Sequence, residues 1–140
     1  MQRPQAIDEE YYYEEGRAII SETDLKGRIT FANRKFCEIA AYTKEELIGQ
    51  PHSIIRHPDM PKSAFKQMWE TIQAGQIWHG LVKNLRKDGL YYWVDTTIEP
   101  GYDKNGHITG YIAARKPASR KNIQEVEIAY KRMREDEQQR

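Results

Sequence analysis

Two dipeptides, Asp88-Gly89 and Asn105-Gly106, constrain this chain more than any other feature. Each is a tight-turn signal, because the two-residue hairpin turns need positive φ, which Asn, Asp and Gly tolerate best. They separate three strand-like runs, IWHGLVKNLR, LYYWVDTTIEP and HITGYIAARK. Three such runs joined by two tight turns predict an antiparallel meander. Earlier in the chain, AIISETD and RITFAN flank an Asp-Leu-Lys-Gly turn and predict a further hairpin. The expected fold class is therefore α+β, with five antiparallel strands and helices covering one face.

The helices follow from caps and apolar spacing. Asn33 is a good N-cap for RKFCEIAAY, where Phe36, Ile39 and Ala40 recur at helical spacing. Residues 43–62 hold three prolines and one glycine, which permit only short helical turns. Pro61 then suits the first turn of a helix through SAFKQMWETIQAG, with Ala64, Phe65, Met68, Trp69 and Ile72 as its apolar stripe. From about Ser119 a last helix carries Ile123, Val126, Tyr130 and Met133 as a narrow seam. The acidic run DEEYYYEE near the N-terminus fits a tail, a cap or a short amphipathic helix sharing Ile7 and Tyr11. The expected division is residues 1–17 as cap or tail, 18–117 as the domain, and 118–140 as an exit helix. A ligand would lie between helices and sheet.

Composition excludes several classes. Lys+Arg of 22 against Asp+Glu of 21 leaves +1, without the basic excess of a nucleic-acid binder. No apolar run reaches the roughly 18–20 residues of a membrane span, and no signal-peptide core is present. These features predict a cytoplasmic chain with no direct membrane insertion, whatever anchor a longer parent protein carries. The single cysteine, Cys37, forms no internal disulfide and reads as a buried, inert thiol. No Ser-His-Asp order, metal triad or Gly-rich phosphate loop marks a catalytic site, so no enzyme is expected.

About residues 18–116 resemble a PAS domain. The matching pieces are TDLKGRITFANRKFCEIAAYTKEELIGQPHSIIRHPDMP, WETIQAGQIWHG, LVKNLRKDGLYYWVDTTIEP and ITGYIAAR. With HPDMP as its specific part, the chain is similar to the FAD-binding PAS domains of bacterial aerotaxis receptors. The resemblance implies a sheet in the order 2-1-5-4-3 and a flavin cofactor, FAD. It also implies redox or oxygen sensing, signalled through an attached helix to an output domain or partner receptor.

Two segments are candidate cofactor contacts. Alternation along the strand from Ile77 places Trp78, Gly80, Val82 and Asn84 on one face. Gly80 leaves space over the sheet, and Asn84 offers both a donor and an acceptor. A flavin ring, flat and apolar with a polar pyrimidine edge, matches that mixture. Alternatively Trp78 is core and Asn84 caps a turn. In RHPDMP, Pro58 and Pro61 stiffen a loop carrying Arg56, His57 and Asp59. The resemblance implies that these three hold FAD; alternatively Asp59 pairs with Arg56 and simply supports the turn.

Photosensory LOV relatives carry a reactive cysteine where this chain has His52. Val94 and Ile112 fall where those relatives place Asn and Gln, so a light-driven adduct is not expected. Haem is an alternative cofactor, with His52 or His57 as axial ligand. A further alternative is a cofactor-free interaction module. His79 and His107 are expected at the surface. The exit-helix seam should cover either its own sheet or a second subunit, and Tyr11, Tyr12 and Tyr13 should cover the outer sheet near Tyr91 and Trp93. A weak homodimer through these terminal segments is the expected partner state.

Overall fold

The computed structural model describes residues 3–139, so residues 1, 2 and 140 of the expected terminal segments lie outside it. Strands β1 (Ile19–Asp24) and β2 (Ile29–Ala32) form the first hairpin. The Asp24 carboxylate closes its turn by accepting from the backbone N–H of Lys26 and Arg28, each at 2.9 Å. Asn33 then does two jobs. Its Oδ1 accepts from the Phe36 N–H at 3.0 Å, capping α1 (Arg34–Ala40), and from the Ile20 N–H at 3.1 Å. Helix α1 is thereby fixed against β1.

A capping box between Thr43 and Glu46 starts α2 (Lys44–Leu47), and a 3₁₀ turn follows at His52–Ile55. The proline-punctuated stretch ends at α3 (Lys62–Gln73). Strands β3 (Trp78–Leu85), β4 (Tyr91–Tyr102) and β5 (Ile108–Pro117) form the expected meander. At the first turn Gly89 has φ +92, and a Cβ there would stand 2.5 Å from the Gln5 carbonyl oxygen. Only glycine fits both demands. The sheet order is β2-β1-β5-β4-β3, as the resemblance implied.

The two faces of the sheet have different covers. The inner face meets the short helices around a core that includes Ile19, Phe36, Ile39, Leu47, Ile72 and Tyr92. The outer face meets α4 (Arg120–Gln138), capped by the Ser119 side chain. Ile123 is 2% and Tyr130 9% exposed, and the Tyr130 ring stacks on Trp93 with centroids 6.5 Å apart. The apolar seam therefore finds its partner on the chain's own sheet, which removes the main drive for pairing α4 with a second subunit.

The N-terminal acidic segment forms no helix among the described residues. It runs extended beside the start of β4: Tyr11 N–H donates to the Tyr91 carbonyl at 2.7 Å, and Tyr91 N–H to Glu9 at 3.1 Å. The register of β5 with β4 ends at Val94 and Pro117, so the segment pairs a stretch of β4 that β5 does not reach. Tyr13 donates to the Trp93 carbonyl at 2.7 Å, while Tyr12 remains exposed.

Truncating Ile123 to Ala should cost about 2–5 kcal/mol, because it opens a cavity under α4. Ile128→Ala, on the solvent side of the same helix at 61% exposure, should stay within about 0.5 kcal/mol. Urea unfolding of both variants checks this; equal losses would mean that α4 does not pack as described.

Candidate functional site

A cavity of about 260 Å³ lies between the inner sheet face and the helical layer. Strands β1, β3, β4 and β5 contribute Ser21, Thr23, Val82, Asn84, Thr96, Ile98, Tyr111, Ala113 and Arg115. The 3₁₀ turn and the residue after it contribute His52, Ser53, Ile55 and Arg56, and α3 contributes Phe65, Met68, Trp69 and Ile72. The lining is apolar except for a few placed polar groups, the usual character of a small-molecule site. Its charged members are Lys26, Arg56 and Arg115; it has no carboxylate.

Arg115 is the unusual member. It sits on β5 opposite Thr96 of β4 and Ile19 of β1, and it is 5% exposed. Its Nη2 donates to Ser21 Oγ at 2.9 Å and to His52 Nε2 at 2.8 Å, and its guanidinium lies 5.0 Å from the centre of the Phe36 ring. Burial pulls Arg115 down to about 10, which leaves it charged at neutral pH. A guanidinium only donates, so His52 Nε2 must be an acceptor and the ring proton belongs on Nδ1. Burial, then the adjacent Arg115 charge, hold His52 down to about 3. Ser21 Oγ and His52 Nε2 also lie 3.0 Å apart. Beside this cluster the buried Thr96 hydroxyl has no hydrogen-bond partner among the described residues, and neither does Arg56 Nε. A ligand rich in acceptors would satisfy both of these orphaned donors beside the buried cation.

The structure separates the five residues singled out from sequence. Arg56 and Asn84 line the cavity and are joined backbone to backbone by an isolated antiparallel bridge. The Arg56 guanidinium lies 3.7 Å from the centre of the Phe65 ring. His57 and Asp59 are not in the lining. The Asp59 carboxylate pairs with Lys83 at 2.9 Å rather than with Arg56, and Asp59 N–H donates to His57 Nδ1 at 2.9 Å. The His57 ring packs edge-on to Tyr91, and burial followed by the Lys83 charge holds it down to about 4. These two residues brace the loop behind Arg56. Trp78 is also outside the lining: a Cβ on Gly80 would stand 2.6 Å from the Trp78 indole, so the space that Gly80 leaves is taken by Trp78 itself.

Other readings divide similarly. Ile112 stands opposite Glu99 and Glu22, on the face away from the cavity, because Tyr111 and Ala113 on either side of it point in. Val94 is buried but outside the lining. Cys37 lies on α1 outside the cavity, its thiol raised by burial and by Glu45. His79 is exposed and paired with Asp95 at 2.5 Å, and His107 is at the surface. Sequence reasoning missed Ser21, Thr96 and Arg115. Alternation along β5 from Tyr111 would have placed Arg115 on the inner face, but nothing in the run itself says which face is inner.

Comparisons with known proteins agree with this architecture. A family model described as the PAS fold matches residues 29–115. The aerotaxis receptor of Escherichia coli is 47% identical over 113 residues, covering 81% of this chain and 22% of that protein. The nitrogen fixation regulatory protein of Klebsiella pneumoniae is 31% identical over 106 residues, covering 76% of this chain and 21% of that protein. The chain thus spans about a fifth of the length of these relatives. Among solved structures, the dark structure of the blue-light photoreceptor Aureochrome1 LOV has a TM-score of 0.69 at 21% identity, covering 80% of this chain and 86% of that one. A light-oxygen-voltage domain described with a flavin analogue has a TM-score of 0.70 at 19% identity, covering 86% and 89%.

The neutral histidines give the site a pH signature. In the unfolded chain His52 and His57 take up a proton near 6.5, while the folded chain holds them neutral to about 3 and about 4. Between those values the unfolded state binds more protons, so stability falls as pH drops from about 6.5 towards 3. His52→Gln removes one such group, and its stability should fall less steeply than that of the wild type from pH 7 to 4. Parallel urea curves with the same slope against pH would contradict the buried, neutral His52.

Proposed function

The chain belongs to the PAS fold family, and on that premise we propose that it is a flavin-binding sensory module that takes FAD in its inner cavity. It reads redox or oxygen state there and passes it through α4 to an attached output segment. The observation that carries this reading is the lining itself: two guanidiniums and an unpartnered hydroxyl around an apolar slot with no carboxylate. A flavin presents carbonyl oxygens and ring nitrogens along one edge of a flat apolar body. Arg115, Thr96 and Asn84 would meet that edge, while Val82, Ile98, Met68 and Ile72 would flank the body. Arg56 and Lys26 are suited to the anionic diphosphate that distinguishes FAD from a bare ring.

The bound flavin would supply reversible electron uptake, and the protein's part is to orient it and respond. Arg115 would be the residue to answer a change of charge on the bound group, and its hydrogen bonds reach Ser21 on β1 and His52 on the 3₁₀ turn. The sheet and the helical layer on either side of the cavity would both feel such a change, and it would bias the population of two arrangements. The E. coli relative named as an aerotaxis receptor supports a role in energy taxis, and a cytoplasmic location belongs to the same proposal. No helix among the described residues is long and apolar enough to cross a membrane.

Haem has less support. His52 Nε2 is already committed to Arg115 and Ser21, and His57 lies outside the lining. Adduct photochemistry lacks a thiol at the cavity, since the one cysteine is on α1.

Purified under native conditions, the chain should take up oxidised FAD and show flavin bands near roughly 370 and 450 nm. Arg56→Ala should weaken FAD binding by about one to two decades, the value of a lost charge-assisted contact, with little change in melting temperature. Asp59→Ala should lower both together, because it acts by loosening the loop. A wild-type sample that stays colourless with added FAD would refute the flavin reading. Sedimentation of the same samples tests the weak homodimer, which the self-covered seam leaves to other exposed residues such as Ile128 and Tyr12.

A further inference from the structure

Helix α3 has no N-terminal cap of its own. Pro61 stands at the cap position without a side-chain hydrogen bond, although the first amides of any helix need acceptors. The acceptor arrives from the far end of α4. Glu137 Oε1 accepts from the Lys62 N–H at 3.0 Å, and Oε2 accepts from the Ser63 N–H at 3.0 Å and from Ser63 Oγ at 2.7 Å. A carboxylate at a helix N-terminus is also favoured by the helix dipole. Two further turns of α4 reinforce the attachment: Arg134 donates to the Asp59 carbonyl at 2.6 Å, and Tyr130 donates to the Leu81 carbonyl at 2.5 Å.

The capped end of α3 is also the cavity wall. Phe65 is two residues beyond Ser63 and supports the Arg56 guanidinium, and Phe65, Met68 and Trp69 all line the cavity. Whatever enters the cavity against Arg56 and Phe65 bears on the turn that Glu137 holds. We propose that Glu137 is a latch between the cavity wall and the last turn of the exit helix, and that filling the cavity opens it. This rests on the flavin reading for the identity of the ligand, but the latch contacts are made by protein atoms alone. It gives α4 a defined point of release close to where an output segment would continue. Ile123 and Val126, nearer the start of the helix, would keep that part docked.

By reciprocity, if ligand opens the latch, breaking the latch must favour ligand. Hydrogen exchange on the intact chain, with and without FAD, tests this in wild type, Glu137→Ala and Phe65→Ala. Without ligand, Glu137→Ala should speed exchange at Lys62, Ser63 and residues 131–138 about tenfold or more, leaving β4 and β5 unchanged. FAD should speed the same amides in the wild type, and Glu137→Ala should bind FAD about fivefold or more tightly. FAD binding with no change at residues 131–138, or with unaltered affinity in Glu137→Ala, would overturn the latch. If the wild type binds no FAD, the flavin reading fails and the latch is decided by Phe65→Ala without ligand. Faster exchange at residues 131–138 would then support it, and unchanged exchange there would overturn it.

Discussion

A charged guanidinium held at the floor of a cavity by hydrogen bonds and a ring face, with no carboxylate paired to it among the described residues, is the constraint on which the site depends. Burying an unbalanced charge costs several kcal/mol even when its donors are satisfied. Arg115 is tolerated because Ser21 and His52 accept from it and Phe36 offers its ring. That arrangement forces His52 to stay neutral, and it depends on the strand register that sets β5 between β1 and β4. The folded chain therefore carries an electrostatic demand that an acceptor-rich ligand would meet.

The outer face is arranged for rigidity instead. The N-terminal segment extends the pairing of β4, and α4 lies across Trp93, so the cavity backs onto a sheet that is covered on both sides. His57, Asp59, Lys83 and Tyr91 belong to this outer system, although their neighbour Arg56 faces inward. A six-residue loop thus has one residue in the cavity lining and two on the brace, which joins the cavity wall to the exit helix through Arg134 and the Asp59 carbonyl.

Local chemistry made most of the fold legible. Asp88-Gly89, Asn105-Gly106 and Asn33 each act within a few residues and stand where a turn or cap was expected, and Ser119 caps the helix expected from about that residue. The site was only half legible. Arg56 and Asn84 could be found because a stiff loop and a strand face concentrate polar groups. Arg115, Ser21 and Thr96 could not, since their meaning comes from partners that lie 94 and 63 positions apart in the cases of Ser21 and His52. The space over Gly80 misled for a related reason, because period two places Trp78 on the same face without saying which way its ring folds. Long-range capping of α3 by Glu137, 74 positions from Ser63, left no local signal at all.

If Arg115 serves the ligand rather than the fold, its loss should remove the response to FAD without costing stability. Thermal unfolding of wild type and Arg115→Met, each with and without saturating FAD, tests it most directly. Ser21 and His52 can still pair with each other at 3.0 Å after the substitution, and methionine fills similar apolar volume. Without FAD, Arg115→Met should melt at or above the wild-type temperature, and FAD should stabilise the wild type but not the variant. A variant that loses several degrees without ligand, yet gains as much from FAD as the wild type, would contradict it.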